Sequence, residues 1–191
     1  SFFWQGVRTE IPLLIGVFPF GMIYGALALS AGLSPAAAQS MSWIVFAGSS
    51  QFIAAQLVHE AAPALVMVAT IAIVNLRHML YSASLAPYMV SLPNRWKFAL
   101  AYLLTDEAYA PTILHYEEQG VERFSHWFLL GAGLALWSTW QVSTALGVFL
   151  GAVIPASWPL DFALPLTFIA LKALPVLILG GLAVAASVAL V

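Results

Sequence analysis

The residues of this sequence that could do chemistry are the few polar side chains set inside long apolar stretches. Arg77 and His78 are preceded by sixteen residues, and followed by sixteen, without any Asp, Glu, Lys, Arg or His. A charge within a bilayer costs at least about 2.5 kcal/mol on insertion scales, so each one is a functional candidate. Arg77 could hold a substrate carboxylate or act as a gate, His78 could handle a proton or gate, and Asn75 adds further donors. Alternatively, Arg77 neutralises an internal carboxylate for structure alone.

Two adjacent carboxylates, Asp106 and Glu107, follow in a later apolar segment. They lie roughly 12 to 15 Å along a helix from the basic turn that contains Lys97, which places them within the hydrocarbon. They are natural partners for Arg77, and they could instead receive a substrate ammonium group or a coupling proton. Adjacent residues lie about 100° apart on a helix, so we expect one of the two to face the bundle, without choosing which.

A small and polar stretch, Gly48-Ser49-Ser50-Gln51, interrupts another apolar segment. Small residues of this kind allow close packing of membrane helices. The alternative is an unwound turn whose backbone groups bind a zwitterion, with Gln51 and the two hydroxyl groups lining the pocket. Lys172 is a further candidate cation, or it snorkels from a short helix to the interface.

Signatures of an enzyme are poor in comparison. His59-Glu60 has no second His at a metal-ligand spacing, and the serines do not form the nucleophile elbow of hydrolases. An intramembrane hydrolase that uses Ser49 or Ser50 with His78 is an alternative. The chain has no Cys and a formal net charge of −2, so neither a thiolate metal site nor a basic surface for nucleic acid is present in the sequence. We expect no enzymatic activity, no cofactor and no nucleic-acid partner.

The elements that must position these residues are transmembrane helices. Of the 191 residues, 62% are hydrophobic and 7% are charged, and the mean hydropathy is +0.96, whereas a soluble domain has about 25% charged residues. A spanning helix needs roughly 20 apolar residues, so about six or seven spans fit. The composition therefore predicts an all-α integral membrane protein, organised as one domain over residues 1–191.

Proline, glycine and the rare charges divide the chain into segments, and Ser34-Pro35 is typical of a helix N-terminus. The predicted segments are 11–31, 35–60, 63–92, 98–114, one within 127–153, 161–174 and 176–191.

The basic flanks constrain the topology. Arg8 and the pair Arg95 and Lys97 should both lie on the cytoplasmic side, so an even number of crossings must separate them. One piece of 35–92 is therefore broken or re-entrant, either at 47–51 or at 75–78, because irregular backbone at membrane depth is tolerated where it is buried or lines a cavity. The fourth segment is drawn as a simple span, which places residues 94 and 120 on opposite sides.

A low-identity internal repeat agrees with this topology, and chance alignment of apolar sequence is the alternative. A shift of 122 residues aligns Gly25 with Gly147 and Phe46 with Phe168. The halves would be 1–92 and 98–191, with the first segment running outward and the fifth inward. That arrangement is an inverted repeat, which is common in secondary transporters.

Four motifs in order resemble the AzlC family of branched-chain amino acid exporter subunits. They are Gly16–Gly21 (GVFPFG), Phe46–Phe52 (FAGSSQF), Asn75–His78 with Tyr81, and Leu104–Glu107 (LTDE). The resemblance implies a multi-pass protein of the bacterial inner (cytoplasmic) membrane that exports leucine, isoleucine, valine or related amino acids. It also implies a small membrane partner subunit of the AzlD type.

The resemblance leaves the coupling ion and the roles of the charged residues open. The resemblance implies an exporter, and the internal charges offer both signs that a zwitterion needs. We therefore expect an exporter that works by alternating access and couples to protons, although no motif shows the coupling. A passive channel or a structural membrane subunit is the alternative, and saturable flux would distinguish the exporter from a pore.

Overall fold

All regular structure in the described part of the chain is helical. The structure is a computed structural model that describes residues 1–120 and 124–152, and these ranges contain seven α-helices, one 3₁₀ turn and no strand. The helices are α1 (Phe2–Ser30), α2 (Pro35–Ile44), α3 (Gly48–His59), α4 (Ala64–Leu85), α5 (Asn94–Leu103), α6 (Asp106–Gln119) and α7 (His126–Gly151), and the 3₁₀ turn, Ala86–Met89, follows α4. The all-α prediction is confirmed for these residues. The predicted sixth and seventh segments, and Lys172 with them, lie outside the described residues.

Helices α1 and α7 pack side by side along most of their length through glycines. Gly6 lies against the carbonyl of Phe128, and Gly25 lies so close to Thr144 that an added Cβ would be 2.4 Å from its carbonyl oxygen. Residues further along α1 contact residues further along α7, so the two helices run in the same direction. The expectation that the first and fifth segments run in opposite directions is therefore wrong.

Helices α2 and α3 form a hairpin that enters from one end of the bundle and returns to that end. The Ser34 side chain caps α2 by accepting a hydrogen bond from the Ala37 N–H, as the sequence predicts. Helix α2 descends along α7 as far as Trp43, whose ring lies 6.3 Å from that of Trp137. After an extended residue, Ala47, helix α3 runs back up. The break predicted near 47–51 is confirmed, with the non-helical residues at 45–47 and a new helix beginning at Gly48.

Helix α4 runs antiparallel to α3 and passes unbroken through 75–78. Ser50 contacts Asn75 while Ser49, one residue earlier, contacts Arg77 further along α4. The alternative break at 75–78 is therefore wrong, because these polar side chains are satisfied by neighbouring helices rather than by an opened backbone.

Helices α5 and α6 form a second hairpin, which enters from the other end. Trp96 packs on Trp127, with ring centroids 5.3 Å apart, and α5 then follows α7 upward until Leu103 meets Gly133. Helix α6 turns back, and the Tyr116 hydroxyl donates to the Ser125 carbonyl at 3.2 Å. Residues 94 and 120 therefore lie at the same end, and the simple span predicted for 98–114 is wrong.

The cause of this second break is local. Thr105 has an extended backbone, and its hydroxyl accepts from the Ala108 N–H at 3.4 Å. A Thr N-cap followed by Asp106 and Glu107 is a favourable helix start, because carboxylates are stabilised by the positive end of the helix dipole. The chain therefore begins a helix at these residues instead of continuing one.

The basic flanks meet at one end of the bundle. Phe3 and Trp96 both pack against Trp127, so the starts of α1, α5 and α7 lie together. We call this end, which carries Arg8, Arg95 and Lys97, the basic end; the prediction that these flanks share a side is confirmed.

Two helices of the described ranges, Phe2–Ser30 and Ala64–Met89, are long and apolar enough to cross a bilayer. The predicted count of six to seven spans is therefore not confirmed. Helix α7 has 26 residues, and its Gln141 and Thr144 side chains form hydrogen bonds with Gln39 and Ser42 of α2.

Candidate functional site

The tips of the two hairpins meet partway along the bundle. The rings of Phe46 and Tyr102 lie 6.1 Å apart, and the Tyr102 hydroxyl donates to the Trp43 carbonyl at 2.5 Å. The N-termini of α3 and α6 are consequently brought to the same region. Each helix N-terminus carries unsatisfied N–H groups and a partial positive charge.

Arg77 on α4 connects these two helix starts. Its Nη1 donates to a carboxylate oxygen of Asp106 in an ion pair, and its Nη2 donates to the Ser49 Oγ at 2.6 Å. The predicted pairing of Arg77 with a carboxylate of the fourth segment is confirmed for Asp106. The side chains of Arg77 and Asp106 are 30% and 39% exposed, so the pair is accessible and not sealed in the core.

Several polar atoms around this pair have unused hydrogen-bonding capacity. Within the described residues, the Arg77 Nε, the Asp106 Oδ1 and the His78 Nε2 are buried and make no hydrogen bond. The first turn of α3 adds backbone donors, because its N-cap residue Ala47 has no side chain that could satisfy them. Donors on one side and a carboxylate on the other are the groups that a zwitterion requires.

The remaining predicted residues of α3 serve other contacts. The Ser50 Oγ donates to the Asn75 Oδ1 at 2.6 Å, and Gln51, fully buried, accepts from the Trp140 indole at 2.9 Å. Gly48 lies against Trp140, where an added Cβ would be 3.1 Å from the indole. The expectation that Gln51 and both hydroxyls line an unwound turn is wrong in detail: Ser49 contacts Arg77, whereas Ser50 and Gln51 hold α3 to α4 and α7.

His78 lies beside the ion pair. Its Nδ1 is 3.3 Å from the Asn75 carbonyl, and its ring meets Tyr81 edge-on at 5.9 Å. Tyr81 in turn stacks on Tyr109 of α6 at 4.6 Å. An aromatic contact between α4 and α6 therefore flanks the Arg77–Asp106 pair.

The packing of α6 against α1 brings Glu107 level with a residue that the sequence analysis missed, because the rings of His115 and Phe2 lie 5.8 Å apart and Glu107 and Glu10 are each eight residues further along. Glu10 has no exposed surface and lies within electrostatic reach of Glu107. The two adjacent carboxylates of α6 thus serve different neighbours: Asp106 faces α4 and Glu107 faces α1. Glu10 escaped notice because the first segment was taken to begin at 11, whereas α1 begins at Phe2 and holds Glu10 well within the helix.

An apolar cleft of about 400 Å³ lies between α4, its 3₁₀ turn and α5. It is lined by Met89 and Lys97 towards the basic end and by Leu104 at the tip of the second hairpin. The cleft therefore extends from the basic end to Leu104, the residue before the N-cap of α6, and its walls suit an aliphatic side chain.

Comparison with known proteins places the chain in a family. The model of the AzlC protein family matches residues 12–154, a range that contains all nine predicted site residues and begins just after Glu10. No solved structure matches the chain.

Three relatives illustrate the similarity. The inner membrane protein YgaZ of Escherichia coli is 28% identical over 172 residues, which cover 87% of this chain and 70% of the relative. An uncharacterized membrane protein of Archaeoglobus fulgidus is 30% identical over 154 residues, covering 81% of this chain and 65% of the relative. The branched-chain amino acid transport protein AzlC of Bacillus subtilis is 26% identical over 171 residues, covering 87% and 66%.

The chain thus spans 65 to 70% of the length of these relatives. Their names describe membrane proteins, in agreement with the apolar composition and with the long apolar helices α1 and α4. The family match covers most of the chain and includes both hairpins. The chain is therefore a membrane protein that belongs to the AzlC family.

Proposed function

We propose that this protein is the large subunit of an exporter for branched-chain or related apolar amino acids. The observation that carries the proposal is the Arg77 guanidinium, held between Ser49 at the start of α3 and Asp106 at the start of α6. The relative named as a branched-chain amino acid transport protein supports the substrate class. The protein acts as a carrier and not as an enzyme.

In the proposed binding mode, the carboxylate and the ammonium group of the substrate bind to different parts of the site. The substrate carboxylate binds the free N–H groups of α3 and the Nε of Arg77, because helix N-termini and guanidinium groups both favour anions. The ammonium group binds Asp106 through its unused Oδ1, with Glu107 beside it. The aliphatic side chain enters the apolar cleft next to Leu104.

The basic end is proposed to face the cytoplasm, since Lys and Arg are enriched in cytoplasmic loops. The cleft then offers a route to the site from the cytoplasmic side, as export requires. The host membrane is the cytoplasmic membrane, and a small subunit of the AzlD type completes the transporter; both follow from the family resemblance.

The two hairpins support alternating access. Residues 35–59 enter from the end opposite to 94–119, and the tips of both hairpins meet near Arg77. We propose that they are the inverted repeat, in a register of about 59 residues and not 122, with the site between them as in other transporters that have broken helices. Movement of one hairpin against the other would open the site to each side in turn.

Counterflow in proteoliposomes tests the proposal. Vesicles loaded with unlabelled leucine should take up labelled leucine, valine or methionine transiently and saturably, with and without the small subunit. Arg77→Gln should lower this flux by at least about tenfold, because the charged partner of the substrate carboxylate is lost. Arg95→Gln, an exposed arginine at the basic end, is the matched control and should transport like the unmodified protein.

Linear, unsaturable flux would instead indicate a passive channel. The absence of flux for all three amino acids, with and without the small subunit, would contradict the proposed substrate class. A folded Arg77→Gln protein with unchanged counterflow would show that the Arg77 pair is structural only.

A further inference from the structure

Glu10 on α1 is a buried carboxyl group that the proposed substrate site does not use. The residue has no exposed surface, and neither of its carboxylate oxygens has a hydrogen-bond partner within the described ranges. Burying an ionised carboxylate without donors is very costly, whereas the neutral acid costs far less to bury. The position therefore suits a carboxyl group that carries a proton.

The groups around Glu10 leave it without a compensating cation. Of the helices packed against α1, α6 supplies Glu107, with Asp106 beside it and His115 two turns further along. Helix α2 has no titratable side chain, α3 has only His59 at its far end, and α7 has only His126 at its first residue. On α1 itself, Arg8 is exposed.

Charge in this region is consequently unbalanced. Asp106 is paired with Arg77. Glu107 and Glu10 lie level with each other, because each is eight residues beyond the contact between the His115 and Phe2 rings of the antiparallel helices α6 and α1. Among the described residues, no cation forms an ion pair with either carboxylate. Two carboxylates in such proximity do not both ionise readily, and a shared proton relieves the repulsion.

We propose that Glu10 and Glu107 form a proton-carrying carboxyl pair that couples export of the amino acid to proton entry. The proposal rests on the function proposed above and identifies the coupling group. Glu107 connects the pair to the substrate site, because it also lies within electrostatic reach of Asp106 and Arg77.

The exchange conserves charge at the site. When the substrate ammonium group binds at Asp106 and Glu107 from the cytoplasmic side, its positive charge replaces the proton, which leaves the pair to water. When the site opens to the other side, a proton from that side returns to the pair, and the ammonium group loses its carboxylate partner and departs. One proton enters for each amino acid that is exported.

The test uses Glu10→Gln to separate amino acid exchange from coupling to protons. Glutamine has nearly the same shape as glutamate but cannot bind or release a proton. Leucine counterflow at equal pH on both sides requires no net proton movement and should stay within about twofold of the unmodified protein. Leucine accumulation driven by a pH gradient should fall by at least about tenfold. Glu118→Gln, an exposed acid on α6, is the control and should leave both activities unchanged.

A binding measurement gives an independent readout. Addition of leucine to purified protein in weakly buffered detergent solution should release protons from the unmodified protein and from Glu118→Gln. It should release none from Glu10→Gln. If Glu10→Gln does not fold, Glu10→Met, which needs no hydrogen-bond partner when it is buried, takes its place in both experiments with the same expected results.

Unchanged accumulation driven by the pH gradient in Glu10→Gln would overturn the proposal. Loss of both counterflow and accumulation in a folded Glu10→Gln protein would also overturn it, since Glu10 would then serve binding and not coupling. Failure of the unmodified protein to exchange leucine, valine or methionine would instead overturn the proposed function.

Discussion

At the scale of single residues, the accessibility of the Arg77–Asp106 pair distinguishes a functional role from a structural one. Both side chains are about one-third exposed, so removal of one partner does not leave the other as a fully buried, unpaired charge, the situation that makes the loss of a buried pair costly. We therefore expect Asp106→Asn to change thermal unfolding in detergent only slightly while it abolishes leucine counterflow. A large loss of stability with normal transport of the remaining folded protein would assign the pair to structure.

The two neighbouring serines at the start of α3 should behave differently. The Ser49 hydroxyl accepts a hydrogen bond from Arg77. The Ser50 hydroxyl is fully buried and donates a hydrogen bond to the side-chain amide of Asn75 on α4. Ser49→Ala should weaken transport with little change in stability, because Arg77 loses one of the groups that orient it. Ser50→Ala should lower the free energy of unfolding by about 1 kcal/mol, because the Asn75 amide loses a partner.

Measuring counterflow and thermal unfolding for both serine variants checks this assignment. Each variant is the control for the other, since the substitutions are chemically identical and adjacent. Equal effects of the two on transport would contradict the distinction.

At the scale of elements, the framework is the glycine-lined contact between α1 and α7. An added Cβ at Gly25 would lie 2.4 Å from the Thr144 oxygen and 2.6 Å from the Val148 nitrogen. These are backbone atoms of a packed helix and cannot move aside cheaply. Gly25→Ala should therefore destabilise the protein by about 1 to 3 kcal/mol, the usual cost of overpacking.

Tryptophan fluorescence during thermal unfolding in detergent would measure the effect of Gly25→Ala. Ile15→Ala, on the exposed face of the same helix, is the control, because lipid chains replace the lost contacts. An unfolding temperature for Gly25→Ala that matches the control would mean that α1 and α7 are not in close contact.

At the scale of the whole molecule, the hairpins determine which loops share a side. Residues 94 and 120 lie at the basic end, and Glu60 lies at the other end, after α3. Because the sequence has no Cys, single substitutions Asn94→Cys, Gly120→Cys and Glu60→Cys can be labelled without background. An impermeant maleimide should label the first two from one side of the membrane and the third from the opposite side.

Labelling of positions 94 and 120 from opposite sides would contradict the second hairpin and restore a simple span. It would also mean that Glu107 and Glu10 do not lie at the same depth in the membrane. The topology experiment is therefore a check on the proposed coupling pair as well as on the fold.

The sequence predicted part of the candidate site well. Arg77 stood out because a charge in an apolar stretch needs a partner, and that need indicated Asp106 or Glu107 without deciding between them. The existence of a break within 35–92 followed from the shared side of Arg8 and Arg95, whereas its position, at 47–51 or at 75–78, stayed open. The break at 104–105 was missed, because Thr105 and the acids after it were interpreted as polar residues within a helix and not as the capping signal of a new one.

Some contacts could not be derived from local patterns. Gln51 and Ser49 occupy the same helical turn, yet one faces Trp140 and the other Arg77, and only the positions of α7 and α4 decide between them. Glu10 was left outside the first predicted segment, which began at residue 11, because its burial arises from helices that are distant in the sequence.

The sequence by itself determined that the protein is a helical membrane protein, that its rare internal charges matter and that its basic flanks share a side. These conclusions depend on transfer energies and on charge, which are properties of the residues themselves. The tertiary structure decided the direction of α7, the second hairpin and the meeting of Glu10 with Glu107. These features depend on which helix faces pack together. That packing is determined by contacts between residues far apart in the chain, such as Gly25 with Thr144.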